Sequence, residues 1–147
     1  MIYCGYQGSG KTTYCRNNPT TTYDLDSSTF VKDEGWEQEY VQMAMELSER
    51  KDVFISAHKI VIEHCIKKKI EFAILAPSMN KDSWRARLTF RYNKKPTLAN
   101  LKALIDFEQN FDNDINYYKS LENQGVKVHW IEATVITNLS EKISKKA

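Results

Sequence analysis

Near its start the chain carries Gly5-Tyr6-Gln7-Gly8-Ser9-Gly10-Lys11-Thr12, a fit to the pattern G-x-x-x-x-G-K-[ST]. No other stretch restricts the fold as much. The apolar run Met1-Ile2-Tyr3-Cys4 before it reads as a strand. Residues 11–17 after it read as a helix that Asn17-Asn18-Pro19 stops. A strand that turns so tightly into a helix needs backbone conformations that glycine takes most easily. Three of the five glycines in the chain, Gly5, Gly8 and Gly10, lie in this loop. Such a turn points successive N–H groups inward, and the helix behind it adds the positive end of its dipole. The result is a cradle for phosphate oxygens. Gly5, Gln7, Gly8, Ser9, Gly10, Lys11, Thr12 and Thr13 are therefore the candidate nucleotide-binding residues. Lys11 is expected to reach the β- and γ-phosphates, and the Thr12 hydroxyl to take one Mg²⁺ position.

Beyond the loop, strand and helix patterns alternate. Residues 20–26, rich in β-branched side chains, read as a second strand. Trp36, Tyr40, Met43, Ala44 and Leu47 recur at helical spacing over 35–50. Residues 53–57 and 70–76 are short apolar runs of buried-strand type, the second closed by Pro77. Between them 60–69 is helical, with Val61/Cys65 and Ile62/Ile66 as i, i+4 pairs. A polar helix is expected over 80–92. A long helical region follows from 97 to 124, with Leu98, Leu101, Leu104, Ile105, Phe111, Ile115, Tyr118 and Leu121 as its apolar stripe. The polar stretch 110–116 is expected to divide it, and Gly125 to stop it. A fifth strand over 126–131 and a last helix over 134–146, carrying Ile136, Leu139 and Ile143, complete the order. Strands separated by helices imply right-handed crossovers and an α/β fold with a parallel sheet covered on both faces. Its site belongs at the carboxyl ends of the strands.

With 147 residues, 41% hydrophobic and 27% charged, the chain suits one domain, 1–147, with one core. No apolar run approaches the roughly 20 residues that span a bilayer. The first residues already belong to a strand, so no signal peptide and a cytoplasmic location are expected. A net charge of +2 is too small to argue for nucleic acid, and Lys67-Lys68-Lys69 reads as the cationic end of a helix. Cys4, Cys15 and Cys65 show no metal-ligand spacing and read as buried apolar groups in a reducing compartment.

Two further constellations bear on chemistry. Asp24-Leu25-Asp26 closes the second strand, and period-two alternation points both acids to one side. Asp24 is the candidate Mg²⁺ ligand beside Thr12, and Asp26 the candidate base or substrate ligand. Asp26 followed by Ser27 and Ser28 also suits a helix cap. The third strand ends Ser56-Ala57-His58, without the acid of a Walker B element, which argues against a motor or switch ATPase. Three of the five arginines, Arg85, Arg87 and Arg91, cluster after the fourth strand. Arg87 and Arg91 share a helix face, and the planar forks of arginine suit phosphoryl oxygens. A mobile lid over about 79–97 is expected, against the alternative of an ordinary surface helix. His58 is expected near a γ-phosphate or at a helix start, and His64 and His129 in structural roles. Trp36 and Tyr40 are expected to bury an aromatic face, with base stacking as the alternative.

The 5–12 loop, Asp24-Leu25-Asp26 and the Arg85/Arg87/Arg91 segment together resemble the small P-loop kinases of the nucleoside-monophosphate-kinase type. Lys11-Thr12-Thr13-Tyr14 through Asp26-Ser27-Ser28, with Ser56-Ala57-His58-Lys59, resembles short phage-encoded nucleotide kinases, which act in the host cytoplasm. The resemblance implies a three-layer P-loop NTPase fold, a five-stranded parallel sheet of order 2-3-1-4-5 and a helical lid. It implies ATP and Mg²⁺ as cofactors. It also implies Lys11, Arg87 and Arg91 as charge stabilisers with Asp26 at the acceptor, and Arg85 as a further nucleotide-binding residue. The expected activity is phosphoryl transfer to a nucleotide, with a deoxynucleoside monophosphate first. Two alternatives stand beside it. One is a kinase of a hydroxyl on a nucleic-acid end or modified base, with Asp26 as base. The other is a nucleotide-binding regulatory module without efficient transfer.

Overall fold

A computed structural model describes residues 1–78 and 80–132 of the chain, so the helix expected over 134–146 lies outside the described residues. The order is β1 (Ile2–Gly5), α1 (Lys11–Asn17), β2 (Thr22–Asp24), a 3₁₀ turn (Ser27–Thr29), α2 (Trp36–Ser48) and β3 (Asp52–Ser56). It continues with α3 (Lys59–Lys67), β4 (Phe72–Pro77), α4 (Lys81–Lys94), α5 (Leu98–Asn123) and β5 (Lys127–Ile131). All strand pairs are parallel, and the sheet order is β2-β3-β1-β4-β5. Every residue of β1 and β4 is buried. Successive side chains of a strand point to opposite faces, so both faces of the sheet are covered.

Strand β1 is central, with Cys4 level with Ile55 on one side and Ile74 on the other. The chain leaves β1 toward β2 and leaves β4 in the opposite direction toward β5. A crevice opens at the carboxyl ends of such neighbours. Phe54, Ile55, Ile74 and Leu75 form the dry centre below it. Tyr40, fully buried on α2, holds the rim. Its hydroxyl donates to the Leu25 carbonyl at 2.6 Å and accepts from the Ser56 N–H at 2.9 Å, tying the ends of β2 and β3 together. Trp36 packs on Tyr40, so this pair serves the core rather than a base-stacking platform.

Three expectations need correction. Strand β2 ends at Asp24, because the Asp26 side chain turns back to accept the Ser28 N–H at 2.9 Å and caps the 3₁₀ turn. Helix α5 runs unbroken for 26 residues through 110–116. Phe107, Phe111, Ile115 and Tyr118 continue one buried stripe through that stretch, and the polar residues occupy the other side. Earlier in α5 the anticipated stripe fails, since Leu98 and Ile105 are 67% and 48% exposed. The helix has only a turn or two there before it reaches the core.

Two helix ends share one geometry. After α5, Gly125 (φ 99°) donates to the Glu122 carbonyl and Val126 to that of Leu121, both at 3.0 Å. After α3, Lys69 and Ile70 make the equivalent bonds to Ile66 and Cys65, although Lys69 must adopt φ 56° without being glycine.

Candidate functional site

Five loop residues build the cradle. The Tyr6 N–H donates to the Leu75 carbonyl at 3.0 Å, fixing the loop's entry on β4. Gly8 has φ 80°, and a Cβ there would come within 3.0 Å of Leu88 Cδ2 and 3.4 Å of Trp84 Nε1. Glycine is thus required twice over, by conformation and by space. A Cβ on Gly5 would meet Ser9 Oγ at 2.9 Å and Lys11 Cδ at 3.1 Å. The Ser9 hydroxyl is buried with no hydrogen-bond partner among the described residues, and Gly10 starts α1 with no side-chain cap. Buried polar atoms left open in this way suit a loop that receives an anion.

Lys11 lies along the loop with Nζ 3.4 Å from the Gly5 carbonyl. Burial pushes its ammonium down, against the pull of Asp24 and Asp26, while Arg91 adds to the depression. A polyanion beside Lys11 would act against that depression. The Thr12 hydroxyl donates to Asp24 Oδ2 at 3.0 Å across the carboxyl edge. These two hard oxygen groups fit a Mg²⁺ that takes its remaining ligands from phosphates and water. Among the described residues no group of three or more His, Cys, Asp or Glu forms a protein-only metal cage. Asp26 is exposed, and its carboxyl is held below the usual range mainly by the Ser28 N–H. A carboxylate so stabilised is a weak base.

Helix α4 lies against the loop. Buried Trp84 donates from Nε1 to the Gln7 carbonyl at 3.0 Å, and Leu88 packs beside Gly8. One turn further, Arg87, Phe90 and Arg91 join residues 7–13 around a cleft of about 530 Å³. Arg91 is braced at Nε by Asn100 Oδ1 at 3.0 Å, and Asn100 in turn donates to the Lys95 carbonyl at 2.8 Å. Arg87 lies 5.9 Å over the Trp84 ring. Arg85 faces elsewhere. It is paired with Glu108, and with Asp82 at 2.8 Å, and lines a separate shallow depression. The structure therefore gathers Arg87 and Arg91 at the loop and leaves Arg85 in surface ion pairs.

A second cavity, of about 310 Å³, shares Gln7 and Lys11 with the first. Its walls are the β3–α3 turn, with Ser56, His58 and Lys59, and the α5 residues Asp106, Asp114 and Tyr118. Desolvation pushes the His58 imidazole down, with Lys32 and Lys11 adding to the shift. His58 Nε2 is 3.4 Å from Ser27 Oγ, and the ring meets Trp36 edge-on. The Asp114 carboxyl is pushed up to about 6, first by desolvation and then by Asp106. Asp106 itself holds the loop: Oδ2 accepts from Gln7 Nε2 at 3.1 Å, and Gln7 also reaches the Ala103 carbonyl at 2.9 Å. Sequence reasoning missed these acids. The signal was present as Asp106, Asn110 and Asp114, spaced four apart on one face of a helix. Their polarity suggests a break, whereas they are the side of α5 that meets the loop.

No helix of the described residues is long and apolar enough to cross a membrane. Compared with known proteins, the chain matches no family model and no curated protein sequence.

Proposed function

We propose that this chain is an ATP- and Mg²⁺-dependent phosphotransferase of the P-loop kinase type, with α4 and its flanks, about 79–97, as the lid. One observation carries the reading. Residues 7–13, with Gly8 fixed by φ and by space, close one cleft together with Arg87 and Arg91 of α4, and Thr12 at its edge bonds to Asp24. Phosphoryl transfer asks for little else than positioning and charge stabilisation.

In this reading the loop amides and the Ser9 hydroxyl hold the donor phosphates. Lys11 neutralises the group in transfer. Arg87 and Arg91 fasten its oxygens from above, and Asn100 keeps Arg91 aimed. Mg²⁺, held by Thr12 and Asp24, would offset charge on the β- and γ-phosphates. Gln7 ties the loop to α5 at the rim that the two cavities share.

Two acceptors suit this chemistry. One is a deoxynucleoside monophosphate, whose phosphate needs no base. The other is a hydroxyl, which does need one, and the acidic lining of the second cavity favours it. The test is transfer from radiolabelled ATP to monophosphates, nucleosides and DNA ends. The expected result is Mg²⁺-dependent transfer to one class, reduced at least about 100-fold in Lys11→Ala. ATP binding without transfer to any acceptor would leave a nucleotide-binding regulatory module instead.

A further inference from the structure

We infer that the cavity between the β3–α3 turn and α5 is the acceptor subsite, that it takes an uncharged hydroxyl-bearing molecule of nucleoside size, and that Asp114 receives its proton. The inference rests on the phosphotransferase reading.

Position comes first. Lys11 and Gln7 line both cavities, so a γ-phosphoryl group held by Lys11 faces the second one. At about 310 Å³ that space is at the small end of small-molecule sites and suits a single compact acceptor.

Charge decides the class. With a donor in the first cleft, Lys11 is committed to its phosphates. Lys59 lies 3.9 Å from Glu63 and 5.1 Å over the Tyr117 ring. His58 is biased toward its neutral form. Asp106 and Asp114 face the cavity from α5, opposite Lys59 of the β3–α3 turn, whose ammonium is turned toward Glu63 and the Tyr117 ring. A phosphate-bearing acceptor would meet like charge there, whereas hydroxyls can donate to it.

The base follows from hydrogen bonding. Asp106 already accepts from Gln7 and from Asn110. Asp26 caps the 3₁₀ turn and does not line the cavity. Asp114 accepts no hydrogen bond from any described residue, so its carboxylate is open to an acceptor hydroxyl. Its raised proton affinity suits a base working near neutral pH. In the step, the acceptor O–H bond breaks and its proton passes to Asp114. The acceptor oxygen bonds to the γ-phosphorus. The bond from that phosphorus to the β,γ-bridging oxygen breaks, and ADP leaves with the electron pair.

The groups around Asp114 are Asp106 and Tyr118 on α5, Tyr6 and Lys11 from the loop side, and His58 and Lys59 from the β3–α3 turn. Burial pushes both tyrosines well up, so they stay neutral. His58, whose imidazole burial pushes down, is the other titratable group of the β3–α3 turn facing the cavity, which sets the controls. Radiolabelled ATP is offered with the four deoxynucleosides and, separately, their monophosphates. ATP·Mg²⁺ binding is measured by calorimetry. Wild type is expected to phosphorylate at least one nucleoside about tenfold more efficiently than its monophosphate, on an acidic limb near pH 6. Asp114→Asn should lower kcat about 100-fold and remove the limb while ATP still binds. Asp114→Glu, a milder change, should retain a limb, as should His58→Gln and Asp26→Asn. Preference for monophosphates, transfer to neither set, or a limb that survives Asp114→Asn would overturn the subsite assignment. Loss of ATP·Mg²⁺ binding in wild type would instead remove the phosphotransferase reading beneath it.

Discussion

Gly8 and Trp84 show how closely the loop and α4 are fitted. Gly8→Ala must place a Cβ 3.0 Å from Leu88 in a left-handed backbone conformation. The strain alone is about 1–2 kcal/mol, and the expected result is a lower urea midpoint together with weaker ATP binding. Trp84→Phe keeps the ring but leaves the Gln7 carbonyl without its indole donor. A loss of about 1–2 kcal/mol is expected by chemical denaturation, with ATP affinity falling alongside. Lys69 offers the opposite change. It holds φ 56° after α3, so Lys69→Gly should raise stability by about 0.5–1 kcal/mol in the same measurement. Some of this was legible in the chain. The loop glycines carry their meaning in the motif, because only a few residue types fit such a turn. Trp84, Asn100 and Tyr40 do not, because a polar handle on a buried side chain is identified only once its long-range partner is known.

Helices α4 and α5 divide the site between them. Helix α4 was legible as polar and arginine-bearing, and i, i+4 spacing put Arg87 and Arg91 together. The same spacing could not show that Arg85 has acids on both sides, since Glu108 lies 23 residues away in sequence. Arg85→Ala should change ATP binding and stability little, because its ion pairs lie at the surface, where solvent screens them. Helix α5 was misread as interrupted because the polar residues of 110–116, read along the chain, masked the buried stripe that continues beside them. Asp114 has a measurable cost there. Its carboxyl is raised from 3.8 to about 6, so the folded chain keeps a proton that the unfolded chain has released. Stability from this group is fullest below about pH 4 and declines as pH rises through 6. Asp114→Asn is expected to raise thermal stability at pH 7.5 and not at pH 3.5. The gain is on the order of 1–2 kcal/mol, since partial exposure screens the effect.

At the level of the molecule, alternation of short apolar runs with helical periods leads to a parallel sheet, and the sheet is observed in the order 2-3-1-4-5. Strand positions came through because buried parallel strands are nearly continuous apolar runs. The second cavity did not, because it forms between residues 56–59 and 106–118, which only the folded chain brings together. Both cavities meet at Lys11, so the roles of both depend on whether the 5–12 loop receives phosphates. The direct measurement is a ¹H–¹⁵N spectrum of the ¹⁵N-labelled chain titrated with Mg²⁺ and a non-hydrolysable ATP analogue. The amides of Gly8, Ser9, Gly10, Lys11 and Thr12 are expected to move most, with Arg87 and Arg91 following and Lys11→Ala weakening the response. Saturable shifts centred elsewhere, with those five amides unmoved, would contradict it.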